Sequence, residues 1–349
     1  MSYFFRRPEL PKNRSKFLLF LVLGICIVHL LINADESAAR PKYFIKFATV
    51  APEGSTWIKH MKVLDREIRT KSHGRLGFGV YAGGIAGDEL NVLKKIRIGQ
   101  IHCAAFSGVG FGKILPMVRV LDLPFLFRNH EETDLVHAKM RSFFADEFRK
   151  KGFELISWGE VGNVHLFSKT SISRVRDLSG LKVWTWSGDP IAKETLAAMG
   201  VNPIPLAITD VTTALNTGMI DTVYAPPLGA LALQWHTSMR YMTALPLVHS
   251  TGAILISSRY FKKLPPDLAQ MLINSFRKAM KELTTALRNQ NDESVRLIRE
   301  SGLTITPMPT GADLQEFYGV HERVARKMTG RIYPKKVLDR VYEILKRPR

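Results

Sequence analysis

At 349 residues, with a formal net charge of +19 and two cysteines, the chain exceeds an ordinary single domain and suits two cores. The charge favours anionic partners or surfaces, but Lys and Arg are scattered along helical stretches and no nucleic-acid motif accompanies them. Nucleic acid is therefore excluded as a partner, and an anionic membrane face or a generally basic proteome accounts for the charge.

Arg6, Arg7, Lys12, Arg14 and Lys16 lead into an apolar run at residues 17–32, followed by Ser37-Ala38-Ala39. This pattern predicts an exported chain whose residues 1–39 are a signal peptide cleaved after Ala39. An uncleaved N-terminal anchor is the other reading, although the run is short for a span of about 20 residues. Ile25 before Cys26 is too large for a lipidation site. The five basic and three acidic side chains before residue 40 leave +17 for the remainder, and Cys103 as its one cysteine. No intrachain disulfide can then form, and Cys103 reads as a buried small hydrophobe.

Residues 43–50 read as a buried strand, and 56–70 as a helix with Ile58, Met61, Leu64 and Ile68 on one face. Residues 75–81 form a second strand, 87–98 a helix and 101–106 a third strand, a rhythm that predicts a parallel α/β sheet. Residues 120–127 are a compact apolar segment containing Pro124. A helix at 130–151 precedes strands at 153–158, 163–168 and 182–186 and helices at 190–199 and 210–216. Residues 222–225 lead to the Pro226-Pro227 break, and 253–257 read as a strand returning to the first lobe. The longest helical pattern, 265–301, opens on proline and stops at Gly302. At about 50 Å it is long enough to cross both lobes. A short strand at 304–308 and helices at 312–328 and 335–346 complete the chain.

Gly108, Gly110, Gly112 and Lys113 do not make a phosphate loop, because Ser107 and Ile114 stand where glycine and Ser or Thr are needed; they read as a tight loop near the cleft. The ten histidines show no metal-ligand spacing, and no catalytic arrangement is legible, so neither metal, cofactor nor catalytic residue is expected. His165 reads as a hydrogen-bonded structural residue or a ligand contact, and Glu53 as a contact to a polar ligand end or a cap for the helix at Ser55.

The stretch 177–224 resembles the ligand-domain signature of the DctP-type solute-binding subunits of tripartite ATP-independent periplasmic (TRAP) transporters. Asp177, Leu178, Gly180, Leu181, Lys182 and Val183 match it, as do Gly200, Pro203, Ala214, Leu215, Gly218 and Asp221. So do Phe47-Ala48-Thr49 with Pro52-Glu53-Gly54-Ser55, the turn at residues 83–89, and Leu121-Asp122-Leu123-Pro124-Phe125-Leu126-Phe127. The resemblance covers nearly all of residues 43–345. It implies a two-lobed α/β periplasmic solute-binding protein of type II-like build, with a hinge and a long helix spanning both lobes. Lobe I is expected at 40–161 plus 250–289, and lobe II at 162–249 plus 290–349. It further implies a non-enzymatic receptor that closes on a small-molecule ligand and delivers it to the TRAP membrane permease subunits. A periplasmic helical-repeat protein is a further partner that some relatives have.

The departures cluster where the family meets its ligand. Trp184 replaces the arginine that normally pairs with a substrate carboxylate, and Val164 stands where a second arginine is frequent. Thr222, Tyr224 and Ala225 replace a Gly-x-Glu-Asn run, and Asp210 replaces a glutamate. A carboxylate buried without a cation costs several kcal/mol, and tryptophan cannot form the bidentate pair. The expected ligand is therefore apolar or at least not a carboxylate. Trp184 and Trp186, on one face of a strand, are expected to line the pocket with Tyr224, Phe125 and Phe106, each indole N–H being free for one hydrogen bond; core packing is the alternative for both tryptophans. Glu53, His165 and Asp210 would orient polar groups. Two rival readings stand beside this one: an organic-acid receptor using Lys182, Arg176 or another cation, and an exported enzyme.

Overall fold

A computed structural model describes residues 41–347; the expected signal peptide lies outside the described residues. In chain order the elements are β1 (Tyr43–Ala48), α1 (Thr56–Lys71), β2 (Leu76–Tyr81), α2 (Glu89–Arg97), β3 (Cys103–Ser107), α3 (Gly108–Ile114), a 3-10 turn (Pro116–Asp122), α4 (His130–Lys150) and β4 (Phe153–Ser168). Next come β5 (Trp184–Trp186), α5 (Pro190–Ala198), β6 (Ile204–Leu206), α6 (Val211–Asn216), β7 (Thr222–Ala225), α7 (Pro227–Ala232) and β8 (Tyr241–Thr243). The chain ends with β9 (Val248–Ser257), α8 (Ser258–Phe261), α9 (Pro266–Glu300), β10 (Thr304–Thr306), α10 (Gly311–Met328) and α11 (Lys335–Ile344).

The opening follows the sequence closely. Ser55 accepts a hydrogen bond from the Ile58 amide to start α1, whose Ile58, Met61, Leu64 and Ile68 are buried. β1 runs parallel to β2 and to β3. The sheet is mixed rather than parallel, however, because β9 pairs antiparallel with β3 and with β4. The eight strands are ordered β10-β8-β4-β9-β3-β1-β2, with β7 also on β4, and β5 and β6 form a separate parallel pair.

The main departure is β4. The sequence suggests two strands there, with a break near Gly159 and Gly162, but one strand runs through. Irregular register at Leu155/Ser157 and at Glu160/Gly162 absorbs the extra residues, and Gly162 takes a φ of 119° that other residues rarely adopt. β4 pairs with β9 as far as Val164 and then, from His165 onward, with β7 and β8.

α9 is amphipathic over 35 residues. Its Leu268, Leu272, Phe276 and Leu283 join one core with Phe47 and Phe78, whereas Ile298 joins another around Trp184, Trp235 and Val223. One helix thus serves two cores, as its length allows. Cys103 is buried and unpaired. Among the described residues, no helix is long and apolar enough to cross a membrane.

Candidate functional site

A cavity of about 590 Å³ lies between β4, β9, the β3–α3 corner, the 3-10 turn, β5 and α7. Its wall is mostly apolar: Val161, Val164 and Val248 from the two long strands with Leu247 just before β9, Trp57, Phe106 and Val109 on one side, and Trp184, Trp186, Tyr224, Leu228 and Leu231 on the other.

Of the residues predicted for the site, Phe106, Trp184, Trp186 and Tyr224 line this cavity, and Glu53, Phe125, His165 and Asp210 lie outside its lining. Glu53 is exposed and paired with Lys62. Phe125, in the left-handed region at φ 56°, packs edge-on against Phe317 and Tyr318. His165 Nδ1 meets the Thr243 carbonyl at 2.8 Å, so its ring is satisfied within the sheet. Asp210 is exposed and accepts from the Thr209 hydroxyl at 3.3 Å.

The aromatic wall is rigid. Trp184 is 1% exposed, stacks on Tyr224 with centroids 4.7 Å apart, and meets Trp235 edge-on at 5.4 Å. The indole N–H groups expected to be free are both engaged. Trp184 Nε1 donates to the Leu206 carbonyl at 3.1 Å, and Trp186 Nε1 donates to Asp88 Oδ2 at 2.9 Å. Tyr224 Oη accepts from the Trp186 amide at 3.0 Å. Burial raises the Tyr224 hydroxyl above its usual range, and Asp189 adds to this.

The charged groups on the wall were not legible in the sequence. Among the described residues, Arg119 is the one basic side chain lining the cavity, against the carboxyls of Glu89, Asp122, Asp189 and Glu293. Arg119 is 3% exposed. Its Nη2 donates to Asp189 Oδ1 at 2.7 Å, and its Nε lies 2.9 Å from Asp122 Oδ2, without the alignment of a hydrogen bond. Asp189 also caps α5, accepting from the Ile191 and Ala192 amides at 3.0 Å each. Burial opposes the guanidinium charge, but Asp189 and Asp122 more than offset it and raise the Arg119 pKa. Burial pushes the Asp122 carboxyl up to about 7 against the lowering effect of Arg119.

Glu89, the first residue of α2, is buried against the start of α3, where it accepts from the Ser107 and Gly110 amides at 2.8 and 2.7 Å. Burial pushes it up to about 7 even though these bonds favour the charged form. The glycines of α3 make room for the cluster. A Cβ on Gly108 would lie 2.4 Å from Asp122 Oδ2, and one on Gly112 would lie 2.5 Å from Arg119 Cδ. The glycine row that reads as a loop is therefore a helix packed against an ion pair. Of the substitute cations considered, neither Lys182 nor Arg176 lines the cavity, and Lys182 Nζ donates to the Gly218 carbonyl at 3.0 Å.

Comparisons with known proteins agree with this architecture. A solute-binding protein of Verminephrobacter eiseniae is 25% identical over 299 residues, covering 85% of this chain and 88% of that protein. The C4-dicarboxylate-binding periplasmic protein DctP of Rhodobacter capsulatus is 20% identical, covering 81% of this chain and 87% of that protein. Among solved structures, a TRAP periplasmic solute-binding protein from Desulfovibrio salexigens with bound orotic acid superposes with a TM-score of 0.82 at 17% identity, over 87% of this chain and 99% of that one. The sugar acid binding protein DctPAm of Advenella mimigardefordensis, in complex with galactonate, gives 0.82 at 19% identity, over 88% and 98%. The profile of DctP, the bacterial extracellular solute-binding protein family 7, matches residues 47–331, well over half the chain, and the protein belongs to that family.

Proposed function

We propose that this TRAP-type solute receptor takes a largely apolar, non-carboxylate ligand into the cavity between its two lobes and hands it to a membrane permease. The observation that carries the reading is the state of Arg119. The one basic side chain on the described cavity wall is already neutralised by two buried aspartates, with two further carboxyls on the same wall. A ligand carboxylate would have to break that pairing or be buried uncompensated, at several kcal/mol. Apolar side chains and the Trp184–Tyr224 stack supply the remaining wall, the usual lining of a small-molecule site.

Lobe I at 40–161 plus 250–289 and lobe II at 162–249 plus 290–349 suit the change of strand partners on β4 after Val164. Closure about those strands would bring Asp88 to Trp186 and Arg119 to Asp189. In this reading Phe106, Trp184, Trp186 and Tyr224 contact the ligand, and the cluster of Arg119, Asp122 and Asp189 reads its polar end. Glu53, Phe125, His165 and Asp210 have no part in it. Export by cleavage of residues 1–39, and a periplasmic helical-repeat protein as a further partner, complete the proposal. The test is native mass spectrometry of the receptor purified without refolding. A lipid, aromatic or other apolar adduct supports the reading, and a bound dicarboxylate or sugar acid overturns it.

A further inference from the structure

Side chains alternate along β4 and β9. Val248 and Ser250 of β9 line the ligand cavity, so His249 between them faces the other way, where Glu160 of β4 approaches it. There they meet His130, the first residue of α4. His130 Nδ1 lies 3.6 Å from Glu160 Oε1, and His249 Nε2 lies 3.7 Å from Glu160 Oε2. One ligand atom from each of the three residues falls within 4.8 Å of the others.

Neither ring nitrogen has a hydrogen-bond partner, although His249 is only 5% exposed. His249 Nδ1 lies 3.1 Å from Asn163 Oδ1. An amide oxygen only accepts, so Nδ1 carries the proton and Nε2 presents its lone pair to the carboxylate. Two buried acceptors facing each other are unfavourable unless a cation sits between them.

We propose that His130, Glu160 and His249 form a binding site for a divalent transition metal of the zinc class, on the side of β4 and β9 turned away from the ligand cavity. Two imidazoles and one carboxylate suit zinc rather than calcium or magnesium. Zinc bond lengths place tetrahedral donors about 3.3 Å apart, a few tenths of an ångström inside the two separations of 3.6 and 3.7 Å between the histidines and Glu160. The Asn163 contact is the kind of outer bond that orients a ligating imidazole. Arg288 is the opposing charge. It grips Glu160 through Nε and Nη2, but it is equally held by Asp134 at 2.7 and 2.9 Å. That aspartate balances the arginine, and Glu160 Oε1, which accepts only from Arg288 Nε, keeps a lone pair toward His130. The His130 side chain, 35% exposed, leaves a way in. No ligand spacing is visible along the chain because the three residues come from three separate elements.

The test uses the full-length chain expressed with its own leader and without a polyhistidine tag, stripped by chelator and titrated calorimetrically with Zn²⁺. One Zn²⁺ per chain is expected at micromolar affinity or tighter. His249→Ala and His130→Ala are each expected to weaken it at least tenfold, the scale at which even outer partners act. Co²⁺ in place of Zn²⁺ is expected to give the visible absorption of a four- or five-coordinate site. Because His249 is buried, the partly exposed His130→Ala variant keeps the test sound if the first fails to fold. No saturable stoichiometric binding, or binding unchanged in His130→Ala, overturns the proposal. Neither result bears on the ligand cavity.

Discussion

Arg119 and Asp189, 70 residues apart in the chain, meet at the cavity wall through a 2.7 Å hydrogen bond. Asp189 also caps α5, so one carboxylate holds a helix end and an arginine together. Replacing Arg119 by Met leaves two aspartates buried without a cation. The expected loss of stability is about 3–5 kcal/mol at pH 8, and less at pH 5, where Asp122, with its carboxyl near 7, already carries a proton. Urea denaturation of both proteins at the two pH values checks this; equal losses would show that the aspartates do not depend on Arg119.

The two raised carboxyls give the fold a pH signature. Glu89 and Asp122 hold their protons up to about 7 in the folded chain and release them at ordinary carboxylate values once unfolded. Their stabilising contribution is complete below those ordinary values and is lost as pH rises through 7. His137, pushed down to about 4 by burial, contributes in the opposite sense, present above its unfolded value near 6.5 and lost on acidification. Burial lowers His102, His165, His249 and His321 as well, and these oppose the carboxyls around the unfolded histidine value near 6.5. The carboxyl contribution is therefore read as a difference: from about pH 6 to 8 the parent is expected to lose stability relative to Glu89→Gln, by urea midpoints at half-unit pH steps.

Gly108→Ala should run against helix propensity. An exposed glycine-to-alanine change inside a helix gains about 1 kcal/mol. Here the new methyl would sit 2.4 Å from Asp122 Oδ2 and 3.0 Å from Arg119 Cζ, so a loss of about 1–3 kcal/mol is expected. A raised melting temperature would mean that the ion pair moves aside freely.

Trp184 separates wall from anchor. Trp184→Ala removes a fully buried ring and strands the Leu206 carbonyl, at a cost of about 3–5 kcal/mol. Trp184→Phe also gives up the bond to the Leu206 carbonyl but keeps most of the ring packing, so the fold should survive for ligand affinity to be read. If the ring faces the solute, affinity for the co-purified ligand should drop about tenfold while the fold survives; unchanged affinity would make the tryptophan core only.

The βαβ opening and α9 were legible because periodicity and caps act locally: Ser55 before α1, and an apolar stripe sustained from Leu268 to Ile298. β4 was misread because Gly159 and Gly162 look like a boundary, while the pairing with β9 that carries the strand through is long-range. The short β6 and β8 and helix α7 went unseen for the same reason. In the cavity the aromatic residues stood out by type and by position in the family pattern. Arg119 did not, since a lone arginine between Val118 and Val120 reads as a surface residue. Only the fold places it against Asp122 and against Asp189 from a distant segment.

The charge inventory of the cavity also bears on selectivity. A receptor whose wall offers an unpaired cation attracts every small anion and must then sort among them by shape. On the proposed reading an arriving carboxylate would meet an arginine already taken, with further carboxyls around it, and would be turned away before shape is consulted. Discrimination by repulsion would leave the cleft open to a neutral solute. Restoring an arginine at position 184 alone would not undo it, because Asp122 and Asp189 would remain.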